Sequence, residues 1–184
     1  MKELKITESL INARVAGVLA SVSKETDRYE HFQQILDNNI QLVFYDRICI
    51  GIITDRVVVD DYSGALTAVE HLIQTGCKRI AFYSSPLHLE ISKNRKNGYL
   101  DALRKNGFPV DESLMFVCDT RDKAIELTPE VLARPDRPDS FFAINDHTAS
   151  GILYSVKKAG FSVPDDISIC GFSGGDLAIA CDPM

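Results

Sequence analysis

The 184-residue sequence is short of positive charge: 20 Lys and Arg stand against 26 Asp and Glu, a formal net charge of -6. Phosphate backbones are gripped by a surplus of cations, so autonomous nucleic-acid binding is not expected of this chain. Long apolar runs are missing as well, and nothing approaches the roughly 18 residues needed to cross a bilayer. No charged-then-apolar leader opens the chain, so neither secretion nor membrane insertion is expected. The five cysteines, Cys49, Cys77, Cys118, Cys170 and Cys181, are odd in number, scattered and without a C-x-x-C pair. That usage suits reduced thiols in a cytoplasmic protein, several of them packed as small hydrophobes. His31, His71, His88 and His147 lack the H-E-x-x-H spacing, so no metal site is expected. Neither G-x-G-x-x-G nor G-x-x-x-x-G-K-[ST] occurs, which removes the usual nucleotide-phosphate loops and leaves no cofactor implied.

What the sequence does contain is alternation. Short runs rich in Val, Ile and Phe are separated by helix-periodic stretches, the pattern of βα units feeding a parallel sheet. Strands are predicted near Val15 to Ser21, Ile40 to Tyr45, Arg56 to Asp60, Lys78 to Ser84, Leu114 to Cys118, Ser140 to Asn145 and Ile167 to Phe172. Ser63 to Thr75 puts Ala65, Ala68, Val69, Leu72 and Ile73 on one helical face, and Thr148 to Ala159 does the same with Ala149, Ile152, Leu153 and Val156. Gly76, Gly107 and Gly160 follow such stretches, where a left-handed residue closes a helix at low steric cost. Within the third helical stretch, Thr128 is expected to cap a fresh turn with Pro129 at its first position. The chain is read as two lobes, 1–61 and 62–184, meeting near Asp60-Asp61-Tyr62-Ser63, with only three strands in the first. A sheet that small leaves an open edge, and self-association is expected of it.

Polar residues gather just after the strands: Asp46-Arg47, Asp60-Asp61, Ser84-Ser85, Asn145-Asp146 and Ser173. In an open parallel sheet this carboxyl edge is where ligands bind, although the same residues also cap helices. Arg95 lies in the first turns of the helix after the fourth strand, where its guanidinium could hold two hydroxyls or a carboxylate. An open-crevice position would make its loss costly for binding and nearly neutral for the fold. Gly98, one turn on, is expected to let that helix approach the sheet. Gly171-Phe172-Ser173-Gly174-Gly175 fits the G-x-S-x-G elbow of serine hydrolases, but no histidine follows His147. The hydrolase alternative is therefore weak, and the chain is not expected to be an enzyme.

Several longer blocks carry a resemblance. They are Arg14-Val15-Ala16-Gly17-Val18-Leu19, Val43-Phe44-Tyr45-Asp46-Arg47, Val58 to Ala65, His71 to Ala81, Arg95-x-x-Gly98-Tyr99, Phe142 to Asp146, and Val163 to Phe172. In order, spacing and content they are similar to the LacI/GalR family of transcriptional regulators. The resemblance implies an α/β chain with the two-lobed, type I periplasmic-binding-protein-like fold, its parallel sheets flanked by helices and its N-terminal lobe incomplete. It also implies an effector bound between the lobes, here a sugar or sugar derivative, with a purine as the second choice. A homodimer is implied, and operator DNA would be reached only through a headpiece absent from this sequence. A solute-binding protein of a transport system is the alternative on the same fold. Carried over position by position, the effector-contacting residues fall on Asp46, Arg47, Asp60, Arg95, Phe142, Asn145 and Ser173. Ser173 departs from the family, many of whose members have an acidic residue there.

Overall fold

The computed structural model describes residues 2–183. By its internal contacts the chain divides into two compact units, Met1–Asp60 with His88–Ile91, and Asp61–Leu87 with Ser92–Met184. The return of His88–Ile91 to the smaller unit was not foreseen from the sequence. His88 Nε2 lies 2.8 Å from the Lys24 carbonyl oxygen and ties that segment down.

In the smaller unit, α1 (Lys2–Asn12), β1 (Gly17–Ala20), α2 (Glu30–Asp37), β2 (Gln41–Tyr45) and β3 (Asp55–Val57) follow one another. Their parallel sheet has the order β1-β2-β3. Alternation along the strands decides what is covered. Leu42 and Phe44 point into a core with Phe32 and Ile35 of α2, with Ile11 of α1 packed against it. On the other pleat Leu19, Tyr45 and Val57 are exposed, Leu19 by 75%.

The larger unit contains α3 (Asp61–Gln74), β4 (Ile80–Ser84), α4 (Glu90–Lys105), β5 (Met115–Val117), α5 (Arg121–Leu132), β6 (Ser140–Ala143), α6 (Asp146–Lys158), β7 (Ser168–Cys170) and the short α7 (Asp176–Ile179). The opening residues of α4 belong to the segment that joins the smaller unit. The sheet is parallel with the order β5-β4-β6-β7. Every residue of β4 and β6 is buried, because helices cover both faces. Ala81, Tyr83, Phe141 and Ala143 face α5 and α6, while Ile80, Phe82, Phe142 and Ile144 face α3 and α4.

Two local expectations are corrected. Pro129 does not start a new turn: α5 runs unbroken from Arg121 to Leu132 with the proline inside it. The missing N–H leaves the Ile125 carbonyl without its helical donor, and the Ser155 hydroxyl of α6 donates to that oxygen at 3.4 Å. Thr128, meant as a cap, is fully buried with its hydroxyl 3.3 Å from that of Tyr83. Gly98 serves helix against helix rather than helix against sheet. A Cβ there would collide with the Tyr62 carbonyl and come within 2.9 Å of the Ala65 Cβ, both on α3.

Candidate effector-binding edges

Strand order locates the place where a ligand is expected in the larger unit. β4 connects through α4 to β5 on one side, while β6 connects through α6 to β7 on the other. Between the carboxyl ends of β4 and β6 the connections part, and the crevice formed there is the usual ligand position of open α/β sheets. Ser84 ends β4 and Ser85 follows it, and Ile144 and Asn145 follow β6. The Ile144 N–H donates to the Tyr83 carbonyl at 2.8 Å and holds the two ends together.

Asn145 caps α6. Its side-chain oxygen accepts from the Thr148 N–H at 2.8 Å, and its amide nitrogen donates to the Asp119 carbonyl at 3.2 Å. Both functions suit the extended backbone of an N-cap residue. After β4 the Ser85 and Ser92 hydroxyls lie 2.7 Å apart in a buried pair. Asp119, almost wholly buried, accepts from Lys123 Nζ at 2.9 Å. That hydrogen bond and the carboxylate's charge hold the Lys123 ammonium above its ordinary pKa.

Arg95 occupies a different position from the open crevice expected of it. It is 6% exposed, and its Nε and Nη2 reach one carboxylate oxygen of Asp61 at 2.9 and 2.7 Å. Nη1 donates to the Ile144 carbonyl, and the guanidinium lies 3.5 Å from the ring centre of Phe172. The fold therefore uses all three of its nitrogens, and the residue is a strut that fixes the end of β6 just ahead of Asn145. Phe142 is completely buried and stacked 5.2 Å from Phe82.

Ser173 is exposed at the turn after β7, with φ 130. The adjoining Asp146 carboxylate accepts from the Gly175 N–H at 3.0 Å and anchors that turn. In the smaller unit Asp46 follows β2 in the left-handed region, φ 56, and is exposed. Arg47 lies 3.6 Å from it, and its Nε donates to the Val22 carbonyl at 2.5 Å. Asp60 ends the smaller unit and is exposed. The structure thus brings Arg95 and Asn145 together at one strand end and pairs Asp46 with Arg47.

Sequence reasoning missed Asp119, although the signal was present: it follows the fifth predicted strand directly, as Asn145 follows the sixth. Asp61 was passed over for its neighbour Asp60. Only the folded chain shows that Asp61 is the carboxylate Arg95 grips.

Residues 69–184 match the periplasmic binding protein-like domain. The whole chain aligns at 29% identity with catabolite control protein A of Priestia megaterium, spanning 55% of that protein. Over 69% of the chain it is 34% identical to the HTH-type transcriptional repressor CytR of Escherichia coli strain K12, spanning 38% of it. Among solved structures, the transcriptional regulator CelR in complex with cellobiose superposes with a TM-score of 0.87 at 26% identity, over 97% of this chain and 55% of that one. The chain therefore spans about half the length of such relatives or less. These relatives are regulators, which favours neither the hydrolase nor the transport reading. Fold and relatives agree that the chain belongs to the LacI/GalR family, within its periplasmic-binding-protein-like effector domain.

Proposed function

We propose that this chain senses a small polyhydroxylated molecule, a sugar or sugar derivative, for a cytoplasmic transcriptional regulator. The observation that carries this reading is its likeness, over nearly its whole length, to a regulator solved with cellobiose. Asp46, Arg47, Asp60, Asn145 and Ser173 are the contacts proposed, since a small number of placed polar groups fixes a hydroxyl-rich ligand, with Arg47 donating and the carboxylates accepting. Arg95 is assigned a positioning role through the Ile144 carbonyl and Asp61. Effector occupancy would bias a separate DNA-binding headpiece, so that the sensor reaches operator DNA only indirectly. A homodimer is the proposed assembly.

A thermal-shift screen of cellobiose, other sugars, sugar phosphates and purines tests this. A ligand at about 100 times its Kd stabilises by ~2.7 kcal/mol. A response confined to purines would replace the sugar reading, and no response from any class would defeat the proposal.

A further inference from the structure

We infer that Glu3 is a positioning residue for Arg47, acting across a single peptide group of the smaller unit. That group joins Val22 to Ser23, just beyond β1. Its N–H donates to Glu3 Oε1 of α1 at 2.8 Å, and its carbonyl accepts from Arg47 Nε. A trans peptide is planar and points these two groups in opposite directions, so the carboxylate and the guanidinium grip one rigid plate from its two ends. The Val22 N–H donates in turn to the Arg47 carbonyl at 2.9 Å, which fixes the plate before it. The bearing of this on effector binding rests on the proposed contact of Arg47.

Glu3 is itself held in place. Its second carboxylate oxygen accepts from the Thr26 hydroxyl and lies 3.2 Å from His31 Nε2. His31 is buried, with its ring 4.2 Å from that of Phe32. An acid in the first turn of a helix, as Glu3 is, can favour the helix dipole from solvent without any partner. Here the side chain is only 21% exposed and both oxygens are engaged. A charged acceptor polarises the amide it binds, and a polarised amide is a stronger acceptor at its carbonyl. The bonds to Glu3 and to Arg47 therefore reinforce each other through the Val22 to Ser23 peptide.

On the other side, Arg47 Nη1 lies 3.6 Å from Asp46, too far for a hydrogen bond. The direction of the guanidinium is therefore set by Nε on the Val22 carbonyl. With Nε engaged, Nη1 and Nη2 are the donors left to a ligand, and turning the peptide plate would move both. Without the hold of Glu3 a ligand would have to order the arginine itself, and such ordering weakens binding.

Hydrogen exchange of the Arg47 Nε–H and of the Ser23 amide, followed by NMR in the full chain without ligand, tests the inference. Glu3→Ala should speed both by about 10-fold or more, the effect of losing one hydrogen bond to a charged group. Glu3→Gln keeps one carbonyl acceptor and should restore part of the protection; it carries the test if Glu3→Ala fails to fold. Thr26→Val removes a partner of Glu3 but leaves the plate bonded, so it should disturb Arg47 less than Glu3→Ala does. The Arg95 Nε–H, bonded to Asp61 in the larger unit, should be unaffected throughout. In calorimetric titrations with cellobiose, Glu3→Ala should weaken binding when Arg47 is present and add nothing to Arg47→Ala. A wild type that ignores cellobiose would count against the sugar reading alone, since the ligand-free exchange decides the role of Glu3. Unchanged exchange at Arg47 in Glu3→Ala, equal acceleration at Arg95, or equal acceleration by Thr26→Val would each overturn the inference.

Discussion

At the scale of single residues, Arg95 and Asp61 form the most consequential pair. Both side chains are about 7% exposed or less, so removing one strands the other's charge in a low-dielectric setting. Arg95→Ala should lower stability by about 3–5 kcal/mol, and the Arg95→Ala, Asp61→Ala double variant should cost less than the two single changes added together. Urea unfolding of all four proteins measures this; strict additivity would mean that the pair is uncoupled. Asn145→Ala removes a helix cap and should cost about 1 kcal/mol in the same assay. Any larger loss of effector affinity, measured by calorimetry, would then report direct contact. Cys118 adds a pH dependence. Burial, reinforced by the neighbouring Asp119 carboxylate, pushes its thiol from 9.0 up to about 12. Keeping a thiol protonated stabilises the fold fully below pH 9.0, and the benefit is lost as pH rises toward about 12. The urea midpoint should fall across that interval, and Cys118→Ala should flatten the fall. At this scale the sequence shows which residues stand at strand ends, as Asn145 and Ser173 do. It does not show whether a guanidinium faces solvent or a carboxylate, because the Arg95 partner is 34 positions away.

Among the elements, α5 tolerates an interior proline because a neighbouring helix supplies a substitute donor. Pro129→Ala restores the N–H to the Ile125 carbonyl and improves helix propensity, at some cost in unfolded-chain entropy. It should stabilise by about 2 kcal/mol, read as a higher melting temperature; a lower one would show that the ring's packing outweighs the restored bond. Gly98→Ala should destabilise, since the α3 carbonyl of Tyr62 occupies the space a methyl group needs. The same hydrophobic periodicity that placed seven strands and the helices α3 and α6 was blind to both features. Periodicity records which face of a helix is apolar, but not how closely a second helix approaches it. Thr128-Pro129 reads locally as a cap, and only the buried contact of Thr128 with Tyr83 reveals a continuous helix.

For the molecule as a whole, the open pleat of the smaller sheet has the larger consequence. Leu19, Tyr45 and Val57 lie on it, and all three are exposed. An apolar face of this kind favours association, so sedimentation equilibrium at tens of micromolar should give a dimer or larger species. Leu19→Lys should shift the population toward monomer, and a wild-type monomer would remove this face from consideration. The α/β class was legible because every unit repeats the same grammar. Nothing in the composition of His88–Ile91 signals its return to the smaller unit. That return also sets a timetable for synthesis. Residues 88–91, which join the smaller unit, leave the ribosome only after α3 and β4 have been made. A nascent chain released at Leu87 has all of β1 to β3 yet lacks the segment that His88 anchors to Lys24.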